Sequence, residues 1–106
     1  MRDFSTAYIA FRICGYRWTL EILTALESEP MRFTDLLQTI QPRPSPKSLH
    51  EALQRLQVEQ LVGRAKDRGR YQLSSAGRQL LPLLGAFIHD LDQWDAAHRN
   101  APTTPG

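Results

Sequence analysis

Residues 44–77 change their periodicity several times within a short span, and that order of changes limits the chain to few architectures. Pro42, Pro44 and Pro46 open the region. A proline inside a helix removes an amide donor and clashes with the preceding turn, so one helix has to end before this run and another begin after it. Ser45 is the natural cap of that second helix, and Pro46 suits its first position, where a missing N–H is no loss. Leu49, Leu53 and Leu56 follow at core spacing with Ala52 beside them, so the spacing predicts a helix over 45–57. Leu61-Val62 then begins a strand, Asp67-Arg68-Gly69 can turn, and Tyr71-Gln72-Leu73 alternates as an antiparallel partner. Ser74 or Ser75 caps a last helix, which Gly77 accompanies.

Upstream, Phe4, Tyr8 and Phe11 recur at helical spacing behind Ser5 and Thr6, predicting a first helix that stops near Gly15. A second helix is expected from about Arg17 to Leu26, burying Trp18, Ile22, Leu23 and Leu26. Met31-Arg32-Phe33 reads as a short extended stretch, and Thr34 to Gln41 as a third helix with Phe33, Leu36, Leu37 and Ile40 inward. The last helix carries a long apolar stripe of Leu80, Leu84, Phe87, Leu91 and Trp94, with Pro82 implying a kink or a later start. The expected fold is mainly α with a small β-hairpin wing: a winged helix-turn-helix of about five helices and a two- to three-stranded antiparallel sheet. At 106 residues there is room for one domain, residues 1–99, with 100–106 expected to be a disordered tail.

The charge is concentrated in this same region. Net charge is +2 overall, but residues 1–42 carry −1, 43–78 carry +5 and 79–106 carry −2. A localised positive field of this kind suits a nucleic-acid face, although an ordinary solvated basic surface has the same composition. With the leucines of helix 45–57 turned inward, Lys47, Ser48, His50, Glu51, Gln54 and Arg55 are left toward solvent. Lysine and arginine can meet guanine, glutamine adenine, and glutamate cytosine. Ser45 and the helix N-terminus suit a phosphate oxygen. In the ribbon 64–71, Arg64, Lys66, Arg68 and Arg70 alternate and are expected to cluster about the hairpin. Arg68, at the tip beside Gly69, is placed for phosphate or minor-groove contact. Basic residues also protect edge strands from pairing, and the two roles are compatible.

Gly15-Tyr16-Arg17-Trp18, Arg32-Phe33-Thr34-Asp35-Leu36, Ser45-Pro46-Lys47-Ser48-Leu49, Leu61-Val62-Gly63-Arg64, Tyr71-Gln72-Leu73-Ser74 and Gly77 follow one another in order. Over about residues 13–94 this series resembles the HxlR family of bacterial winged helix-turn-helix regulators, within the MarR-like group. The resemblance implies a sequence-specific transcription factor on double-stranded DNA, acting as a homodimer paired through its first and last helices. Phe4, Tyr8, Phe11, Leu84, Phe87, Leu91 and Trp94 are the interface candidates, with packing inside one chain as the alternative. A twofold pair would bind a palindromic operator with half-sites about 34 Å apart. The family's redox sensors carry a cysteine near the position of Ser5, whereas Cys14 directly precedes Gly15 and reads as a small apolar residue.

Other chemistry is thinly represented. The single cysteine excludes an intramolecular disulfide framework. No phosphate-binding glycine loop, nucleophile elbow or pair of catalytic carboxylates occurs, so no enzyme and no cofactor are expected. His89, Asp92, Asp95 and His98 sit near one another on the last helix, but a polar face opposite an apolar stripe needs no metal. Tyr8, Tyr16, Trp18 and Trp94 leave room for a small-molecule effector between subunits, or simply fill cores. Without a secretion signal or membrane-length apolar run, a cytoplasmic protein is the expectation. A winged protein-interaction module that does not read DNA is the main rival.

Overall fold

The computed structural model describes residues 2–66 and 69–99. The elements run α1 (Ser5–Cys14), α2 (Thr19–Leu26), β1 (Met31–Arg32), α3 (Phe33–Thr39), α4 (Pro46–Val58), β2 (Val62–Arg64), β3 (Arg70–Leu73) and α5 (Ser75–His98). This is the expected winged helix-turn-helix, with five helices and an antiparallel sheet in the order β1-β3-β2. Asp67 and Arg68, expected to turn, and the segment 100–106, expected to be a tail, lie outside the described residues.

α1 begins where Asp3 accepts hydrogen bonds from the amide (2.9 Å) and hydroxyl (2.6 Å) of Ser5. A carboxylate there faces the positive end of the helix dipole. None of its ten residues is buried. α2 starts at Thr19 rather than Arg17, because Trp18 adopts a left-handed conformation (φ 77°) that cannot continue a right-handed helix. Thr19 is buried in the place expected for Trp18, and its hydroxyl donates to the Ile13 carbonyl at 3.3 Å. Trp18 remains half-buried.

α3 takes in Phe33, which was expected to be extended. The Arg32 amide donates to the Asp35 carboxylate at 3.1 Å, fixing the helix start one residue earlier. α4 is capped as anticipated: Ser45 accepts from the Ser48 amide at 3.1 Å, and Pro46 takes the first position. Its far end closes in a Schellman motif, with Leu61 N–H on the Leu56 carbonyl (2.9 Å) and Gln60 N–H on the Gln57 carbonyl (3.0 Å). Gln60 holds the left-handed position (φ 63°) that glycine usually fills.

Ser74 joins that end of α4 to the start of α5. Its hydroxyl donates to the Gln60 carbonyl at 2.6 Å and accepts from the Gly77 amide at 3.0 Å. A Cβ at Gly77 would run into the Leu61 carbonyl, so glycine permits the close approach of helix and strand. These contacts explain why α5 begins at Ser75 despite Pro82. It continues through the proline and loses only the amide that would have served Arg78. Ile22, Leu23, Leu26, Leu36, Leu49, Leu53 and Leu56 form the centre of one core, with Leu84 and the sheet residues around it. α5 contacts that core up to Ile88, while its outer part runs on without a buried residue. The molecule is accordingly elongated, 58 × 38 × 23 Å.

Candidate nucleic-acid interface

α4 buries Leu49, Ala52, Leu53 and Leu56. At 100° per residue this leaves Lys47, Glu51 and Gln54 on the opposite side, and all three are exposed, as is His50. Val58 extends the same face and is 80% exposed. Sequence reasoning stopped the helix at 57 and so missed it; its spacing of seven from Glu51 is the signal. A methyl-bearing side chain there can meet a thymine methyl group. Ser48 is half-buried, and its side chain lies 2.9 Å from Ser45 Oγ, so both serines are committed to the cap.

Arg55 departs from the group. It is half-buried on the shoulder of the helix, with its guanidinium 4.4 Å from the centre of the Tyr16 ring. Arg12 also reaches α4 from α1, pairing with Glu59 at 3.2 Å. The junction of α1 and α2 is thereby tied to the second half of α4.

Among the described wing cations, Arg64 and Arg70 do not share a cluster. Register pairs Arg64 with Tyr71 and Arg32 with Arg70. Paired residues share a face and neighbours along a strand alternate, so Arg64 and Arg70 emerge on opposite faces of the ribbon. The Arg64 guanidinium lies 4.1 Å from the Tyr71 ring centre, covering the edge of the core. Arg32 joins Arg70 at the base of the wing. The two-residue β1 has no periodicity, so nothing in the sequence indicated this pairing. Lys66 is exposed. Arg68, the candidate for the tip, lies outside the described residues.

A second surface is apolar. Phe4, Tyr8, Phe11, Phe87, Leu91 and Trp94 are each between 46% and 70% exposed. Phe11 and Phe87 bring α1 and α5 together, with ring centres 6.2 Å apart. Leu84, placed with them from sequence, is only 8% exposed and belongs to the core of its own chain. A groove of about 630 Å³ runs between α1 and α5, with Cys14 and Leu84 in its lining. Burial pushes the Cys14 thiol above its ordinary pKa, the direction that disfavours a reactive thiolate.

Among the described residues, no three His, Cys, Asp or Glu side chains come within reach of one metal ion. His98 stacks on Trp94, with ring centres 5.5 Å apart, and His89 meets Gln93 at 3.5 Å. No described helix is long and apolar enough to cross a membrane.

The model of the HxlR-like helix-turn-helix family matches residues 13–101. The quinone-bound form of YodB from B. subtilis aligns with a TM-score of 0.74 at 31% identity, covering 83% of this chain and 97% of that one. The reduced form of the same protein, described as a transcriptional regulator, gives 0.75 at 27% identity and covers 96% and 100% of the two chains. A protein from Enterococcus faecalis V583, described as a transcriptional regulator of the MarR family, shares the fold at a TM-score of 0.79 and 17% identity, over 95% and 96%. Comparison with curated protein sequences gave no match. The capped helix α4, the ribbon that follows it and the match across most of the chain converge, and the protein belongs to the HxlR-like helix-turn-helix family.

Proposed function

We propose that this protein is a homodimeric, sequence-specific DNA-binding transcriptional regulator acting in the cytoplasm. α4 enters the major groove and the ribbon 64–71 follows the flanking backbone. The observation that carries this reading is the outward face of α4: Lys47, Glu51 and Gln54 stand exposed together on a helix whose other side is locked into the core. The cations of the ribbon and of Arg32 add phosphate contacts, which supply affinity and salt dependence. The exposed aromatic residues of α1 and α5 suit a twofold interface, since an apolar face of that extent on a small domain marks an association site.

Selection of bound sites from random DNA at defined salt tests the proposal, and an inverted repeat with half-sites one turn apart is the expected result. Recovery of no motif would instead support a protein-interaction module. A monomeric mass by light scattering at micromolar concentration would count against the pairing.

A second reading adds a small-molecule effector, favoured by the groove between α1 and α5. YodB has been solved with a quinone bound. A saturating quinone that leaves DNA affinity unchanged removes that ligand class.

A further inference from the structure

We propose that Tyr16 is a positioning residue of the DNA interface, holding Arg55 at the shoulder of α4 as a phosphate contact rather than a base reader. The inference rests on the DNA-binding reading above. Arg55 follows Gln54 by one residue, which turns it away from the Lys47, Glu51 and Gln54 face toward the wall of the groove. Its guanidinium packs on the Tyr16 ring, 4.4 Å from the centre. Its Nε is buried without a hydrogen-bond partner among the described residues. Nor has Arg55 an acidic partner among them.

A base-reading arginine has to extend its fork to the groove floor. An arginine lying on a ring with its inner nitrogen buried is held back at the height of the helix flank, where the phosphates run. The ring face offsets part of the cost of burying that nitrogen, and the full charge remains available for an oxyanion.

Comparison with a second arginine–tyrosine stack, at the wing, separates this arrangement from ordinary packing. Arg64 covers Tyr71, whose ring is 5% exposed and belongs to the core. Tyr16 is 46% exposed, so core formation does not account for its position. The Arg12–Glu59 pair, one helical turn beyond Arg55, holds the same junction against α4.

The test measures binding of the selected operator and of base-substituted operators across a salt series, by fluorescence anisotropy, with unfolding midpoints as the fold control. Arg55→Ala should lower the slope of log affinity against log salt by about 0.9 per protomer, hence about 1.8 for the pair on its two-half-site operator, the loss of one phosphate contact from each half-site. It should weaken all sequences alike. Tyr16→Leu should weaken binding about two- to five-fold per half-site, the contribution of an exposed cation–π pair, and so about five- to thirty-fold on the two-half-site operator. Tyr16→Phe should restore wild-type affinity, and Tyr16→Leu should add nothing in the Arg55→Ala background. Arg55→Lys keeps the charge but loses the planar stack, so it should keep the slope and match Tyr16→Leu in affinity without altering Tyr16.

Additive effects of the two residues would overturn the proposal, as would a Tyr16→Leu protein with wild-type affinity. A changed base preference in Arg55→Ala would make it a reader instead. Wild-type protein that binds DNA, combined with an unchanged slope in Arg55→Ala, defeats this inference alone. Wild-type protein with no affinity for any DNA defeats the DNA-binding reading as well.

Discussion

Ser74 offers a direct measure of what ties α4 to α5. Its hydroxyl accepts from the Gly77 amide at 3.0 Å and donates to the Gln60 carbonyl at 2.6 Å. Ser74→Ala removes both. Loss of an N-cap costs about 1 kcal/mol. Loss of a neutral hydrogen bond costs about 1 kcal/mol more, because the Gln60 carbonyl is left without that donor. The expected destabilisation is therefore about 2 kcal/mol, which at an ordinary urea dependence lowers the unfolding midpoint by about 0.7–2 M.

Ser45→Ala is the internal reference, since Ser45 caps α4 through one amide bond and otherwise meets only the neighbouring Ser48 hydroxyl. It should cost about 1 kcal/mol. Ser74→Asp keeps an acceptor for Gly77 but brings no donor to Gln60, so it should recover about half of the loss. All variants need comparison at one protomer concentration, because association would add to apparent stability. If Ser74→Ala costs no more than Ser45→Ala, or Ser74→Asp recovers everything, the bond to Gln60 contributes nothing and the reasoning fails.

Gln60→Gly should stabilise the protein by about 0.5–1 kcal/mol, since glycine occupies the left-handed region without a Cβ clash; a lower thermal midpoint would refute it. Ser5 holds the Asp3 carboxyl below its ordinary pKa, mainly through its hydroxyl and secondly through its amide. The folded value lies below the unfolded one, so this contribution is complete above the ordinary carboxylate range and is lost as pH falls through the folded value. Ser5→Ala should raise the Asp3 midpoint in an NMR titration, and an unmoved midpoint would deny the hydroxyl its role. Cys14 should react with iodoacetamide more slowly than a free cysteine peptide at pH 8, because burial raises its thiol pKa; faster reaction would contradict that assignment.

The parts of the fold that are local in origin were legible in the sequence. Ser45 and Pro46 set the start of α4, and the leucines at 49, 53 and 56 set its inward side, because capping and helical period act over a few residues. Features that depend on distant partners were not legible. Trp18, held in a left-handed turn, packs half-buried at the margin of the core instead of inside it. The extended stretch at 31–33 was expected, but not its pairing with β3, which puts Arg32 beside Arg70. The division of the wing cations follows from which residues face each other across the hairpin, information that alternation within one strand does not contain. Likewise, the identity of Arg55 as an exposed helix residue gave no hint of Tyr16, which lies far back in the chain.

Pro82 has a mechanical consequence for the proposed pair. α5 is fastened at one end by Ser74 and Gly77, while its outer end bears the aromatic residues offered to a partner. Between them sits a turn with one hydrogen bond fewer, although Leu84 and Ile88 beyond it still pack on the core, so bending there has to shift those contacts too. In a twofold assembly any flexure there occurs in both protomers, so a small angular change is doubled in the separation of the two reading heads. Operators whose half-sites are spaced slightly differently would then lose affinity by degrees rather than abruptly.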